Sequence, residues 1–429
     1  MLDHGKLFEE LTCFIKPIKG FAGIYRPNYK RNITMILPTL IRSLGLELHE
    51  VETLYSDSCL KNTLEDILND NIENIVFIVM DSLGFKQFTK YSRFFAENAF
   101  YFPVSSVFPT ITSTAIMSLH TGKYPEQHGL LGYKILIEEL GTIIDTLKFS
   151  SEKAQFRDSL TKLGLNFSNY LWEESIHKNI SQDSLFDVSL YNYTIAATGL
   201  STILHNNIVS FGDIIDAFSL ANKLLCKEDN KKKLIHIYLD VVDELSHKYG
   251  PESPQIEMSF KIFEESLKAI KLGLTEEVAA KTMLVLTSDH GQRKVDPSKI
   301  LNMQNIESDV YAKYFRCGVG KSGRTLHFYT KPGMLDEAFN LISETISDSG
   351  IVFKYEDLAK LIFHKKTSNV KVKERLGDII CVLTGEHTAS LKNQEVENKI
   401  VDAALLGQHG GLSYDELCSV CAFINLKEI

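Results

Sequence analysis

The sequence predicts an α/β fold, a mixed and mainly parallel sheet sandwiched by helices, with an inserted α+β cap. Three observations carry this expectation. The runs Asn74–Met80, Leu234–Leu239 and Met283–Thr287 are rich in β-branched residues and lack clear alternation, the pattern of strands buried on both faces of a parallel sheet. Helical patterns lie among them at Glu152–Leu163, Asn207–Leu225 and Gln255–Leu272, and strand alternating with helix places helices on both faces. Each run is then followed by acids or a histidine: Asp81, then Asp240 and Asp243, then Asp289 and His290. Open α/β sheets bind ligands outside the carboxyl ends of their strands, so three strand ends carrying metal-type ligands predict a site there.

The length, 429 residues, exceeds what one hydrophobic core usually serves. We expect a core formed by 1–292 with 401–429, and a cap or substrate subdomain over 293–400. The latter is more basic through Ser368–Arg375, with strands expected at Tyr311–Arg316 and Thr325–Thr330. Segment Ser419–Ile424 reads as a last core strand, and Cys418 and Cys421 within and beside it as a buried structural pair, since no second pair completes a zinc site. Seven cysteines, an odd and scattered count, suit a reducing compartment. No apolar run reaches the roughly 18 residues of a membrane helix. Met1–Phe14 does not read as a signal peptide. Cytoplasmic location without a membrane partner is therefore expected. A net charge of −9 argues against stable binding of a nucleic-acid duplex but not against a small phosphate ester, because bound cations supply local positive charge. The charge run Cys226–Lys233 reads as a solvated loop.

Val107–Gly129 (VFPTITSTAIMSLHTGKYPEQHG) carries the first chemical signal. Pro109 breaks the chain, a helix runs through His120, and Gly122 stops it. Thr110, Thr112, Ser113 and Thr114 thus fall near a helix N-terminus, where free N–H groups favour an anion and a hydroxyl can attack a bound phosphorus; a simple N-cap is the bland alternative. Asp243 and His247, four apart, share one helical face and suit one metal. Asp289 and His290 precede a glycine at a strand end, and His409 sits between glycines in GQHGG, where a loop can approach a site closely.

In this order and spacing the chain resembles the alkaline phosphatase superfamily, nearest its type I phosphodiesterase/nucleotide pyrophosphatase branch and the prokaryotic members of that branch. The resemblance rests on Ile75–Gly84, Val107–Tyr133, Tyr238–Pro251, Leu284–Gln292 and Gly407–Ser413. It implies an alkaline-phosphatase-like core and a two-metal phosphohydrolase. The family nucleophile lies ten residues before the glycine of T-G-x-Y-P-x-x-H-G, and counting back from Gly122 gives Thr112. By the same resemblance Asp81, Asp289 and His290, with Thr112 itself, would hold one ion, and Asp243, His247 and His409 the other, while His128 is structural. Two divalent ions are implied, Zn2+ by the preference of imidazole and Mn2+ next. The threonine would carry the phosphoryl group between two displacements.

Tyr133 departs from the pattern. Twenty-one residues after the nucleophile the family has an asparagine that contacts a phosphate oxygen, and here Tyr133 stands in that place; its hydroxyl can also donate, or the residue can serve packing. The reaction expected is hydrolysis of a phosphodiester or pyrophosphate bond, with a nucleotide-type substrate first. Phosphomonoester or phosphonate hydrolysis, and a metal-binding pseudoenzyme, are the alternatives. Gly318–Gly323 matches G-x-G-x-x-G but precedes a strand, so it reads as a hairpin turn rather than a dinucleotide site; Lys321 and Arg324 beside it are candidate substrate contacts. The sequence is silent on oligomeric state.

Overall fold

All three apolar runs are strands. The computed structural model describes residues 15–151, 156–181, 183–227, 231–303, 308–364, 369–391 and 405–429. Within these, fourteen strands build two seven-stranded sheets. In chain order they begin with β1 (Asn74–Met80), β2 (Phe100–Ser105), β3 (Lys134–Ile137), β4 (Thr142–Asp145), β5 (Ser150–Ser151), β6 (Phe186–Asn192) and β7 (Ile208–Phe211). They continue with β8 (Lys233–Leu239), β9 (Thr282–Thr287), β10 (Gly320–Ser322), β11 (Thr325–Phe328), β12 (Gly350–Lys354), β13 (Ile379–Leu383) and β14 (Cys418–Asn425).

The core sheet has the order β2-β14-β9-β1-β8-β6-β7. Strands β9, β1, β8, β6 and β7 are parallel, while β14 and β2 add an antiparallel edge. Every residue of β1, β8 and β9 is buried, which is why these runs are predominantly apolar rather than alternating. Their register decides the function of the fold. Met80 pairs with Leu239, and Val79 with Thr287, so the residues that follow three adjacent strands emerge at one edge. Cys418 and Cys421 are buried, unbridged members of β14. Among the described residues no helix is long and apolar enough to cross a membrane.

Helices follow the expected patterns with informative differences. Helix α1 (Thr112–Thr121) ends on Gly122, whose φ of +68° is the left-handed conformation glycine adopts without steric cost. In Asn207–Leu225 the first residues form β7 instead; the Asp213 carboxylate accepts from the N–H groups of Ile215 and Asp216, so helix α2 starts at Ile214 and runs to Leu225. Helices α3 (Val241–Tyr249) and α4 (Pro254–Ser266) follow β8, and a short helix at Lys268–Lys271 continues the Gln255–Leu272 pattern. The pattern at Glu152–Leu163 gives only one turn, Ser159–Lys162; residues 152–155 lie outside the described ones, as do 228–230 of the charge run.

The second sheet corrects two expectations. Its order is β12-β13-β11-β10-β3-β4-β5, so Lys134–Ser151 joins the segment 293–400 rather than the core sheet. Ile135, Ile137 and Ile144 are fully or nearly buried in the main hydrophobic core, while the strand edge is satisfied by this sheet: Lys321 pairs with Lys134, and the Leu136 N–H donates to the Tyr329 hydroxyl at 3.0 Å. The far boundary of that unit, 392–404, lies outside the described residues. Tyr311–Arg316 is not a strand but the end of a helix spanning Ser308–Tyr314. Its aromatic residues suggested β structure, yet Tyr311 stacks on Phe315 with ring centroids 4.5 Å apart, and Phe315 meets Phe328 at 5.7 Å. That i, i+4 spacing places one face of a helix on the sheet. Gly318–Gly323 leads into the β10–β11 hairpin, turning at Gly323 with φ +59°.

Candidate active site

The carboxyl ends of β9, β1 and β8, the N-terminus of α1 and the loop before β14 converge. Asp81 follows β1, Asp243 and His247 lie on α3, Asp289 and His290 follow β9, and His409 enters from the Gly407–Gly411 loop. They form two compact groups, Asp81–Asp289–His290 and Asp243–His247–His409; in each, one ligand atom per residue lies within 4.8 Å of the others. In the first, His290 Nε2 is 3.2 Å from Asp289 Oδ2 and 3.8 Å from Asp81 Oδ1. In the second, His247 Nε2 lies 3.2 Å from both Asp243 Oδ1 and His409 Nε2. The rings of His290 and His409 stack at 4.1 Å and join the groups.

All three rings point Nε2 into the site because their other nitrogen is engaged. His247 Nδ1 is 2.8 Å from the Gly407 carbonyl, His409 Nδ1 3.0 Å from the Thr110 carbonyl, and His290 Nδ1 3.1 Å from the Gly291 carbonyl. An N–H donated outward leaves the lone pair on Nε2, the arrangement a metal-ligating histidine requires. Gly410 permits this approach. Its φ is +107° and a Cβ there would run into the Ser322 carbonyl oxygen, so no other residue fits.

The electrostatics call for cations. Burial, with Asp289 and Asp243 nearby, pushes the Asp81 carboxyl well above its ordinary range, and burial lifts Asp289 to about 6. Burial alone would also raise Asp243, but His247, His409 and the Ser82 hydroxyl hold it below the usual range. Burial lowers His290 to about 4 and, with the His290 ring adding to it, His409 to about 3. Asp81 Oδ1 and Asp289 Oδ2 are buried without a hydrogen-bond partner. Burial opposes the charge on His247, but Asp243 beside it and the Gly407 carbonyl raise it above the ordinary histidine value. Carboxylates crowded in low dielectric, the neutral imidazoles of His290 and His409 and orphaned anionic oxygens together fit two divalent ions.

The structure brings Thr112 to this cluster and engages Thr110 and Ser113 elsewhere, while the Thr114 hydroxyl is buried without a hydrogen-bond partner. Thr112 Oγ1 lies 3.5 Å from Asp81 Oδ2 and 3.3 Å from His290 Nε2. No side chain caps the N-terminus of α1, so the first-turn N–H groups remain for an anion rather than for a cap. Ser113 Oγ donates to the Gly132 carbonyl at 3.3 Å, and Thr110 Oγ1 to that of Gly411 at 2.8 Å. His128 Nε2 lies 2.8 Å from Ser118 Oγ, and His128 Nδ1 accepts from the Leu130 N–H at 3.1 Å, which fixes the turn after α1 and keeps His128 out of both groups.

Two cavities open on the cluster. One, about 180 Å³, is lined by Asp81, Thr112, Asp243, Arg157, Tyr191 and Tyr238 among others. The second, about 320 Å³, is bordered by Tyr133, Lys321, His247 and His409. Tyr133 and Lys321 therefore face the site. Burial lowers the Lys321 ammonium to about 8, with Lys134 adding to the effect, and Lys321 donates to the Ala389 carbonyl. The expectation for Arg324 is corrected. Its side chain is fully buried, paired with Glu416 at 2.8 Å and donating to the carbonyls of Leu383, Gly385 and His387. With each guanidinium nitrogen engaged within the fold and the side chain fully buried, it is not presented to substrate.

Four residues escaped the sequence reading. Ser82, with φ +63°, donates from Oγ to Asp243 Oδ1 at 2.7 Å and from its N–H to Asp289 Oδ1 at 3.2 Å, bridging the groups. Gln292 Nε2 donates to Asp243 Oδ1 at 3.0 Å, and the Tyr238 hydroxyl donates to Asp81 Oδ2. Arg157 is a cation in the first cavity. Ser82 and Gln292 adjoin or nearly adjoin recognisable ligands, a usable signal; Tyr238 hid in an apolar run, and Arg157 had none.

Residues 75–412 match the protein family described as type I phosphodiesterase / nucleotide pyrophosphatase. Venom phosphodiesterase 2 of Crotalus adamanteus is 24% identical over 218 residues, covering 48% of this chain and 24% of that protein. Ectonucleotide pyrophosphatase/phosphodiesterase family member 7 of Mus musculus is 21% identical over 303 residues, 68% of this chain and 65% of the relative. The chain thus spans about a quarter of the first relative's length and just under two thirds of the second's. Among solved structures, murine ectonucleotide pyrophosphatase/phosphodiesterase 5 aligns with TM-score 0.62 at 16% identity, over 81% of this chain and 87% of that one. Phosphonoacetate hydrolase from Sinorhizobium meliloti 1021, in complex with phosphonoformate, aligns with TM-score 0.57 at 15% identity, over 81% and 89%. These two likenesses establish the shared fold.

Proposed function

Because this chain belongs to the type I phosphodiesterase/nucleotide pyrophosphatase family, we propose that it hydrolyses a phosphodiester or pyrophosphate bond of a nucleotide-type substrate through a phosphate ester on Thr112. The observation that carries this reading is the position of Thr112 Oγ1, 3.5 and 3.3 Å from Asp81 and His290 at an uncapped helix N-terminus. Asp81, Asp289 and His290 with Thr112 would hold one divalent ion and Asp243, His247 and His409 another, zinc by preference and manganese next, supplying the Lewis acidity that makes a threonine hydroxyl a competent nucleophile.

The chain's own groups do the rest. The substrate phosphate rests against the first-turn N–H groups of α1. Thr112 Oγ1 bonds to phosphorus as its proton passes to solvent, and the bond from phosphorus to the departing oxygen breaks on the side of Asp243, His247 and His409. Water then attacks phosphorus, the threonyl ester bond breaks, and the hydroxyl is restored. Ser82, Tyr238 and Gln292 hold the carboxylates in register through both displacements. The cavity with Arg157 and Tyr191 receives the esterified group, and Tyr133 and Lys321 face the departing one. A nucleotide is favoured by the family and by the fold of murine ectonucleotide pyrophosphatase/phosphodiesterase 5, solved in an inactive form in complex with AMP.

The test is hydrolysis of three p-nitrophenyl substrates, a plain diester, a thymidine monophosphate ester and a monoester, by metal-stripped protein refilled with zinc or manganese. Metal-dependent cleavage fastest with the nucleotide ester is the expected result. Cleavage of the monoester alone would replace this reading with a phosphatase, the direction in which Tyr133 departs from the family. No cleavage with both ions bound would leave a phosphonate substrate, in keeping with the phosphonoacetate hydrolase fold, or a protein that binds without turnover. Lys321→Met is expected to raise KM about tenfold with little change in kcat, the loss of one charge-assisted contact to bound substrate. An unchanged KM would confine Lys321 to its Ala389 contact.

A further inference from the structure

Behind the candidate active site, on the other side of Tyr191 and Tyr238, four buried histidines meet. His120 comes from α1, two turns beyond Thr112; His177 from a short helix, Ile176–Asn179; His205 from the residue after a helix at Leu200–Leu204; and His236 from β8. None is more than 3% exposed. Ring nitrogens of His120, His177 and His205 lie within 4.8 Å of one another, the same closeness that describes each catalytic group.

The hydrogen bonds around the rings point inward. His177 Nδ1 is 2.8 and 3.0 Å from the two oxygens of the buried Asp187 carboxylate. An N–H donated there leaves the Nε2 lone pair facing His120 Nδ1, 3.0 Å away. Two imidazole nitrogens that share a tetrahedral zinc ion stand about 3.3 Å apart, so this pair already has ligand spacing. A carboxylate behind a ligating histidine is the usual support for its orientation and basicity. His205 is held by Ser189 Oγ at 2.7 Å and the Tyr191 hydroxyl at 2.8 Å, and the second of these contacts can yield to a ligand.

The independent sign is what lacks a partner. Both nitrogens of His236 and Nε2 of His120 are buried with no hydrogen-bond partner. The His236 ring stacks on His205 at 5.0 Å and meets His120 edge to face at 4.8 Å. Polar ring atoms left unsatisfied in a core of histidines are costly for a purely structural cluster.

We propose that His120, His177 and His205 hold a transition-metal ion of their own, separate from the Asp81 and Asp243 groups, with Asp187 orienting His177 and His236 closing the remaining side. Three imidazoles and no first-rank carboxylate select zinc and its neighbours copper, nickel and cobalt over magnesium or calcium. The ion would be structural. It ties the helix that begins at Thr112 to the segments that flank β6, through His177 before that strand and His205 after it. The site is reached from within the fold, so loading accompanies folding.

The experiment is metal content of the full chain expressed with zinc, together with an anomalous difference map at the zinc edge from crystals of the unaltered protein. The expected map has a peak among His120, His177 and His205 besides those at the catalytic groups. The zinc content is expected to fall from about three per chain to about two in His177→Leu, and to about one in Asp81→Asn/Asp243→Asn, where only the buried site remains. A map with peaks at the catalytic groups alone would overturn the proposal and leave a neutral histidine network. So would equal zinc content in the unaltered chain and a folded His177→Leu variant. The map needs no variant, so a misfolded substitution does not blunt the test. It also reads the buried site whatever substrate Thr112 acts on.

Discussion

Thr112→Ala is expected to lower hydrolysis by roughly four orders of magnitude or more while leaving the protein folded and its catalytic ions bound. The side chain lost is small, and the six histidine and aspartate positions of the two groups remain. What disappears is the one hydroxyl that lies beside both Asp81 and His290. The neighbouring hydroxyls are poor substitutes for geometric reasons. Ser113 is committed to Gly132 and to the Thr146 hydroxyl, 3.0 Å away, and Thr110 to the loop of His409. Rates with a p-nitrophenyl ester, beside metal content of the same sample, check the expectation. A residual rate above about a hundredth of the unaltered protein would mean that another nucleophile, Ser113, Thr114 or water, does the work. Metal lost along with activity would mean that Thr112 serves chiefly as a ligand.

The second large effect is expected far from the reacting atoms. Arg324→Met should destabilise the fold by about 3–5 kcal/mol, because it leaves the Glu416 carboxylate buried without its cation. That pair is fully buried on both sides, at 2.8 Å. Glu416 also accepts from the N–H groups of Gly411 and Ser413 at 2.8 and 3.0 Å, while the Arg324 N–H donates to the His409 carbonyl at 2.8 Å. The pair thus supports the loop that carries His409. Thermal unfolding should show a lower midpoint, and the ion of the Asp243 group should be lost at lower chelator concentration than that of the Asp81 group. The double variant Arg324→Met/Glu416→Gln should recover part of the stability, since the uncompensated charge is gone. If the single variant matches the unaltered protein in stability but binds substrate poorly, Arg324 contacts substrate after all.

The sequence by itself determined the core strands and the identity of the clustered side chains. Runs such as Asn74–Met80 and Met283–Thr287 are mostly apolar without alternation because both faces are covered, and this is visible without coordinates. The start and stop of α1 were legible from Pro109 and Gly122, since a backbone lacking a donor and a residue tolerating positive φ act locally. Asp81, Asp243, His247, Asp289, His290 and His409 stood out because they follow strands or sit among glycines at fixed spacing.

Only the tertiary structure decided the rest, and in each case a contact between distant segments overrode a local signal. Lys134–Ser151 joined the second sheet because strand edges are satisfied by whichever segment pairs with them, here β10, nearly two hundred residues on. Tyr311 and Phe315 formed a helix face because Phe328 lay beneath them. Arg324 turned inward because Glu416 waited there. His120, His177, His205 and His236 carry no shared spacing at all, so nothing local joins them. Their proximity comes from the packing of α1 against the sheet, and the chemistry of a buried cluster depends on neighbours that only the folded chain supplies.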